Sequence, residues 1–329
     1  MPHPFAFFLA KGRESTNPKL RNHAVTNLAV TELRNGPVRM VKKNGWSVRK
    51  MKQILVATWM GIAALSMAIS ARAAEATFER DLTVNGRVQM SVVTGSGTIH
   101  LTQGASSHVH IYGHVRSSWG DNDDKVAEIA AHPPIEQTGN IVRIGIHHEN
   151  LHNISIDYEI EAPANSFLDA GTGSGNVNDD GVGADAKLST GSGGIHATGL
   201  QGGYSVSTGS GNIYAEGSGD GDVKAETGSG TIDLHGVHGA LRAHTGSGNI
   251  KSEGTPVGPW HVETGSGSVE LWTSTAAFTL DASTGSGGIH CDREMIGQTD
   301  SEKHHMSGKI NGGGPPVHIQ TGSGSIKIH

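Results

Sequence analysis

The tetrapeptide Thr-Gly-Ser-Gly occurs nine times in this 329-residue chain, and its spacing constrains the fold more than any other feature. The copies begin at Thr94, Thr172, Thr190, Thr208, Thr227, Thr245, Thr264, Thr284 and Thr321. Consecutive copies between the second and the eighth are 18 to 20 residues apart, whereas the first and last gaps are 78 and 37 residues. A short fixed period indicates one small structural unit stacked on copies of itself.

The residues around each copy alternate between apolar and polar types. The fifth residue after each threonine is Ile or Val, and the second and fourth residues before it are apolar in every copy. The positions between them are mostly polar, as at Lys187, Lys224 and Arg242. Period-two alternation is typical of a strand with one buried face. Each repeat therefore predicts two strands of about five residues, one on each side of the tetrapeptide.

We predict an all-β fold in which residues 166–329 form a parallel, two-sided β-solenoid with rungs of roughly 18–20 residues. The tetrapeptide makes one corner of each rung, because glycine adopts turn conformations at low cost. A second glycine-bearing turn closes the rung at 199–203, 217–221, 236–239 and 254–258.

Residues 77–165 are predicted to form a β-rich portion that caps the first rung. Strand-like runs cover 108–115, 135–146 and 153–162, and a short helix covers 121–131 before two prolines. At the other end, the last strand finishes one residue before the C-terminus. That position predicts a free strand edge, open to end-to-end self-association or to a partner molecule.

The N-terminal 73 residues predict an export signal. They hold 12 Lys/Arg and 2 Asp/Glu, and an apolar run over 54–69 is followed by the small-residue pattern Ala71-Arg72-Ala73. We interpret 51–73 as a signal peptide and 1–50 as a non-native or disordered extension, with Met1, Met40 and Met51 as alternative starts. Sixteen apolar residues are few for a membrane span, so we expect a mature chain that does not cross the membrane. Its expected location is the periplasm or the cell surface.

Charge argues against a nucleic-acid-binding protein, and cysteine content argues against a disulfide-stabilised one. Residues 74–329 hold 13 Lys/Arg and 29 Asp/Glu, and such an acidic body argues against nucleic-acid binding. Cys291 is the single cysteine, so no intramolecular disulfide is expected.

The repeats resemble a bacterial domain-of-unknown-function family labelled "putative adhesin". The resemblance rests on the repeated T-G-S-G-x-I/V pattern, on the segment Tyr158–Pro163 and on the tail Ser307–Pro316 before the last repeat. It spans roughly residues 77–329. It implies an exported β-solenoid of the cell envelope, and it implies no catalytic residues.

The sequence offers one candidate metal site. His108, His110 and His114 have the same parity on one predicted strand, so they share a face that suits zinc or copper, with His147, His148 or His152 as further ligands. The alternative is a solvated polar strand face. No tetrapeptide supplies the glycine pattern of a dinucleotide loop or of a nucleophile elbow, and no cofactor is expected.

The favoured hypothesis is an exported, non-enzymatic, adhesin-like binding or structural module. Its contact surface would be formed by outward-facing side chains around Tyr214, Asp233 and Lys251. An envelope polysaccharide or a surface protein would be the partner. Two rivals remain open: a β-helical enzyme acting on polysaccharide, and an envelope-stress or regulatory module that binds a protein through its free edge.

Overall fold

Two ladders of hydrogen-bonded strands, one on each side of the tetrapeptides, organise the chain. The computed structural model describes residues 74–117, 123–145, 153–297 and 304–329. The predicted extension over 1–50 and the predicted signal peptide over 51–73 lie outside the described residues. The prediction of an all-β fold is confirmed, with one short helix in the described ranges, α1 (Asp123–Ala131).

The strands all belong to one hydrogen-bonded network. They are β1 (Glu75–Thr83), β2 (Gln89–Ser96), β3 (Ile99–Gln103), β4 (His108–Ser117), β5 (Ile135–Thr138), β6 (Ile141–Ile144), β7 (Ile154–Ala162), β8 (Phe167–Ser174), β9 (Val177–Asp180), β10 (Asp185–Ser192), β11 (Ile195–Leu200), β12 (Tyr204–Ser210), β13 (Ile213–Gly217), β14 (Val223–Ser229), β15 (Ile232–Ser247), β16 (Ile250–Ser266), β17 (Val269–Trp272), β18 (Phe278–Ser286), β19 (Ile289–Cys291), β20 (Met295–Ile296), β21 (His305–Ile310), β22 (Pro316–Ser323) and β23 (Ile326–Ile328).

We use "repeat unit" for a tetrapeptide together with the strand that ends in it and the strand that follows it. Strands β8, β10, β12 and β14 pair in parallel, and equivalent threonines are register partners. The following strands β9, β11, β13 and β15 also pair in parallel, with the Ile or Val column in register. Apolar residues from both ladders face inward and form one core cluster. The alternation in the sequence therefore sets which side chains are buried.

The threonine column contributes to this buried face. Thr208 and Thr227 are 6% and 3% exposed. The Oγ1 of Thr208 donates a hydrogen bond to the carbonyl oxygen of Gly193 at 2.9 Å, and the Oγ1 of Thr227 donates to that of Gly211 at 3.0 Å. Each acceptor is the second glycine of the neighbouring tetrapeptide. These two hydroxyls therefore link their own units to the preceding ones while satisfying a polar atom inside the core, whereas the hydroxyl of Thr94 bonds to the carbonyl of Ile156 in β7.

The tetrapeptide needs glycine mainly because stacked backbones approach closely. A Cβ added at Gly209 would lie 2.6 Å from the carbonyl oxygen of Gly191, and one at Gly230 would lie 2.0 Å from that of Gly211. Gly230 also has a φ of +152°, which L side chains rarely adopt. Steric contact between units thus adds to the turn preference that the sequence indicated.

The order of the repeat units in space differs from their order in the chain at the C-terminal end. Strand β22, in the last unit, pairs with β16 on one side and with β18 on the other. Strand β23 likewise lies between β17 and β19. The prediction of a free edge at the last strand is therefore wrong. The C-terminal unit occupies the interior of the stack, and the unit of Thr284 lies outside it.

The same exchange occurs at the N-terminal end. Strand β2 pairs with both β6 and β8, and β3 pairs with both β7 and β9. The unit of Thr94 is therefore internal, and the outermost pair is β6 and β7, which lacks a Thr-Gly-Ser-Gly corner. Residues 77–165 therefore contain both this internal unit and the capping strands, whereas the sequence predicted only a cap there.

Antiparallel strands lie at both ends of the ladder that ends in the tetrapeptides, and at the N-terminal end of the ladder that follows them. Strands β4 and β1 extend the sheet beyond β7, and β5 pairs with β6. The predicted strand over 135–146 is thus a hairpin of two strands. At the other end β21 pairs with β18, and β20 pairs with β21. Antiparallel neighbours break the parallel repeat, so these strands end the stacking of identical units.

Two of the predicted second turns are not separate turns in the structure. Strand β15 runs through 236–239 and β16 runs through 254–258, with register shifts where the chain passes these segments. The turns at 199–203 and 217–221 do separate strands. A local change of register can redirect a strand without ending it. Within the described ranges, no helix has the length and apolar character needed to cross a membrane.

Candidate functional site

We call the ladder of strands that end in the tetrapeptides the first ladder, and the ladder of strands that follow them the second ladder. The second ladder presents a continuous row of outward side chains, because its strands are in register. We call this row the outward ladder. In spatial order it contains His100, Asn178, His196, Tyr214, Asp233, Lys251, Glu270, Lys327 and His290. The three residues predicted as a binding surface, Tyr214, Asp233 and Lys251, are direct neighbours in it. The structure therefore brings this predicted set together on three adjacent strands.

Aromatic rings stack along the outward ladder. The rings of His196 and Tyr214 are 4.7 Å apart at an interplanar angle of 15°, and those of Tyr214 and His235 are 5.4 Å apart at 39°. Partial desolvation, together with the carboxylates of Glu216 and Asp233, raises the pKa of Tyr214. Its hydroxyl thus remains protonated at neutral pH and can donate a hydrogen bond to a ligand.

Charged groups flank this aromatic stretch. His235 contacts Asp233 at 3.1 Å through Nε2 and Glu253 at 3.1 Å through Nδ1, so one imidazole joins two strands. Lys251 forms no ion pair within the part of the chain that the structure describes, although carboxylates precede and follow it in register. An exposed ammonium of this kind is free to contact a polar ligand.

A second aromatic contact lies further along the same face. The rings of Trp272 and His329 stack at 5.4 Å and 20°, and His329 also contacts Glu270 and Asp292 at 3.2 and 2.7 Å. Sequence analysis missed this group because it results from insertion of the C-terminal unit between β17 and β19. The signal in the sequence was the parity that Trp272 shares with Glu270 on the strand after the Thr264 tetrapeptide, which predicts an outward side chain.

The three histidines predicted as one metal site have separate partners. His108, His110 and His114 lie on β4 at steps of two and four residues, so the first and the last are about 20 Å apart along the strand. His108 contacts the hydroxyl of Ser107, and His114 lies 3.8 Å from Glu75. Binding of one ion by all three stays a prediction that this spacing disfavours.

His110 alone lies in a cluster of potential ligands. Its Nδ1 is 2.7 Å from Asp81 Oδ1, and its Nε2 is 3.4 Å from Glu79 Oε1. One donor atom from each of these three residues falls within a single 4.8 Å group. Sequence analysis missed both acidic residues, because only the antiparallel pairing of β1 with β4 brings them close. The other predicted ligands, His147, His148 and His152, lie outside the described residues.

The first ladder carries a different feature on its outer face. Phe167 and Ile141, 40% and 36% exposed, line a cavity of about 480 Å³ together with Arg143. The guanidinium of Arg87 lies 3.8 Å above the Phe167 ring. This cation–π contact shields one face of the exposed ring.

One carboxyl group is buried inside the fold. Asp179 is 1% exposed, and burial raises its pKa to about 8. Its Oδ1 accepts a hydrogen bond from the backbone N–H of Val182 at 3.0 Å, while Oδ2 has no partner. Asp179 faces the core rather than the outward ladder, so its raised pKa does not place an acid beside a ligand.

The fold and this surface define a class: an all-β protein of paired, repeating strands with a long polar and aromatic face. A family model described as Toastrack DUF4097 matches residues 136–329. The chain therefore belongs to the Toastrack DUF4097 family, a domain-of-unknown-function family as the sequence indicated. The match begins at β5, later than the start near residue 77 that the resemblance implied.

Solved structures similar to this chain share little sequence with it. A putative cell adhesion protein from Clostridium sporogenes has 14% identity and a TM-score of 0.27, with 77% of this chain and 99% of the other covered. A putative adhesin from Bacteroides fragilis has 14% identity and a TM-score of 0.28, with coverages of 77% and 97%. A putative lipid binding protein from Parabacteroides distasonis has 11% identity and a TM-score of 0.30, with coverages of 77% and 96%. The comparison with curated proteins found no match.

Proposed function

We propose that the mature chain is an exported, non-enzymatic binding module of the cell envelope, and that the outward ladder is its contact surface. The observation that carries this proposal is the registered row of Tyr214, Asp233 and Lys251 on adjacent strands. Aromatic, acidic and cationic groups at regular strand spacing suit an extended polymer with repeated hydroxyl groups. An envelope polysaccharide is therefore the favoured ligand, and a surface protein is the alternative.

The proposal includes the architecture that presents this surface. Each repeat unit is one rung of a two-sided parallel β-solenoid with an 18–20-residue period. Register partners such as Thr190 and Thr208, or Ile213 and Ile232, support this period. Rungs of constant length keep the outward side chains in straight columns, and this regularity is what an extended ligand would recognise.

A binding role is favoured over catalysis by the surroundings of the carboxyl groups. A glycoside hydrolase needs an acid with a raised pKa beside the substrate. Among the described residues, the carboxyl whose pKa is clearly raised is Asp179, and it is buried in the core. The acidic residues of the outward ladder contact histidines or lie beside Lys251, which suits hydrogen bonding to a ligand.

Binding of a partner through the C-terminal edge has lost its basis. The last strands have neighbours on both sides, so deletion of residues 317–329 would remove an internal unit rather than expose a binding edge. A protein partner would therefore contact the outward ladder.

The test is retention of the purified protein on immobilised dextran, alginate, chitosan and peptidoglycan, with product masses recorded in parallel. We expect retention on at least one polymer without new products. Release of shortened products would overturn the non-enzymatic proposal. Absence of retention on every polymer would reject polysaccharide binding and leave a surface protein as the partner.

A further inference from the structure

A concave site lies on the capping side of the second ladder, separate from Tyr214 and its neighbours. Strands β1, β4, β7 and β3 are adjacent there, and His110 has Asp81 and Glu161 as its cross-strand partners. Glu79, His110, Glu159 and Glu161 line one cavity of about 470 Å³. Three carboxylates and two imidazoles, those of His110 and His100, thus line the same small volume.

The imidazole of His110 is oriented by one carboxylate and faces another. Nδ1 is 2.7 Å from Asp81 Oδ1, which fixes the ring and leaves Nε2 as the free nitrogen. Metal-binding histidines commonly use a carboxylate in this way, with the second nitrogen on the ion. Nε2 is in turn 3.4 Å from Glu79 Oε1. Two ligand atoms on one tetrahedral zinc ion, each bonded at about 2.0–2.1 Å, are separated by roughly 3.3 Å.

We propose that this cavity binds a divalent transition-metal ion, with zinc as the best fit. His110 Nε2 and the Glu79 carboxylate are the primary ligands, the exposed side chain of Glu161 rotates from the cavity wall to supply a third oxygen, and water fills the remaining position. Asp81 is a positioning residue that holds the imidazole through Nδ1. One nitrogen and two carboxylate ligands suit zinc better than calcium, which prefers an all-oxygen shell.

The electrostatics of the cavity favour a cation at neutral pH. The hydrogen bond to Asp81, with further contributions from Glu79 and Glu161, raises the pKa of His110. The titratable groups around His110 are Glu79 and Asp81 from β1, His100 from β3, Tyr112 on its own strand, and Glu159 and Glu161 from β7.

The other two histidines of β4 lack this arrangement. His114 has a single carboxylate neighbour, Glu75, at 3.8 Å, and His108 contacts a serine hydroxyl. His114 therefore offers a matched control, since it lies on the same strand and the same face as His110. The cavity shares only His100 with the outward ladder and does not include Tyr214, Asp233 or Lys251, so either proposal can fail without the other.

Isothermal titration calorimetry with zinc chloride, on the purified chain after treatment with EDTA, tests the site. We expect His110→Asn and Glu79→Gln each to weaken zinc binding at least tenfold, whereas His114→Asn leaves it within twofold. Unchanged melting temperatures of the metal-free variants would show that they are folded, as the exposure of these side chains predicts. Equal zinc affinity of His110→Asn and the unmodified chain would overturn the proposal.

Two further measurements separate the roles. Asp81→Asn should weaken zinc binding 10- to 100-fold, and cobalt added in place of zinc should show a changed visible spectrum because the imidazole is no longer held. A merely structural role for Asp81 would leave that spectrum unchanged. Calcium competition is the last test. If calcium displaces zinc at equal concentration, and if His110→Asn leaves this competition unchanged, the site is a nonspecific acidic cluster and the proposal is overturned.

Discussion

Close backbone contacts between neighbouring tetrapeptides make single residues important for the stability of this chain. Where units stack, the glycines of one tetrapeptide lie against carbonyl oxygens of the next, and the threonine hydroxyl bonds to such a carbonyl. No side chain larger than hydrogen fits at these points. The repeated glycines of the tetrapeptide are therefore required by close backbone packing between units.

The first prediction concerns the first glycine of the tetrapeptide. A Cβ at Gly209 would lie 2.6 Å from the carbonyl oxygen of Gly191, whereas one at Gly95 would meet nothing within 4 Å. Gly209→Ala should lower the free energy of unfolding by roughly 1–3 kcal/mol, as overpacking does. Urea unfolding of both variants measures this. Gly95→Ala occupies the same column and should stay within about 0.5 kcal/mol of the unmodified chain. Equal losses would mean that conformational preference, not contact, explains the glycine.

The second prediction concerns Asp179 and pH. Its folded pKa of about 8 lies above the ordinary value of 3.8, so the folded state holds this proton more tightly than the unfolded state. The associated stability is fully present below about pH 4 and is lost as pH rises through 8, with a total on the order of 5 kcal/mol. Asp179→Asn is neutral at every pH and should remove this loss.

Thermal unfolding from pH 4 to pH 8 measures the effect as a difference between variants. Asp179→Asn should match the unmodified chain near pH 4 and exceed its stability near pH 8. The control is Asp169→Asn, which removes an exposed carboxylate 3.3 Å from Lys187 but keeps Asp179, so it should lose stability between pH 4 and pH 8 as the unmodified chain does. A pH-independent difference for Asp179→Asn would contradict the assignment of a buried, protonated acid.

At the scale of elements, the pairing order of the units departs from chain order at both ends. Strand β22 is placed between β16 and β18, and β2 is placed between β6 and β8. The long gaps of 78 and 37 residues in the repeat spacing are the segments that make these exchanges possible. Antiparallel strands then cover β6, β7 and β18 of the outermost units.

Paired cysteines test this order. Glu263 and Gln320 are register partners, as are Ser283 and Gln320. Neighbouring strands lie about 4.8 Å apart, within the Cα range of a disulfide, whereas strands two places apart are too distant. In a Cys291→Ser background, we expect oxidation to link 263 to 320 and 283 to 320, but not 263 to 283. Stacking in chain order would instead link 263 to 283 and leave 263 and 320 unlinked.

The sequence predicted the strands better than their order, for a physical reason. Alternation around the isoleucine column identifies each strand and its buried face, and Ile213 and Ile232 lie in the core as expected. Which unit lies beside which depends on tertiary packing, because every unit offers nearly the same edge. The row of Tyr214, Asp233 and Lys251 could be predicted, since consecutive central units are neighbours. The cluster at His110 could not, because Glu79 joins it through an antiparallel strand outside the repeats.

In the whole molecule, the packing of residues and the pairing of strands together produce one regular surface. Glycine contacts fix the spacing of the units, registered pairing aligns their outward side chains, and capping strands end the stack. The exposed row around Tyr214 is the regular product of this construction, whereas the first ladder exposes Phe167 in a cavity of its own. We therefore propose that ligand binding occurs on the second ladder.

Binding of two aromatic variants should be compared on the immobilised polymer that retains the unmodified protein best. Tyr214→Ala removes an aromatic contact from the outward ladder, and Phe167→Ala removes an exposed ring from the first ladder as a matched control. Exposed tyrosines are frequent energetic centres of binding surfaces. We predict that Tyr214→Ala weakens binding at least tenfold while Phe167→Ala leaves it within twofold. Loss of binding with Phe167→Ala alone would contradict the proposed contact surface and place it on the first ladder.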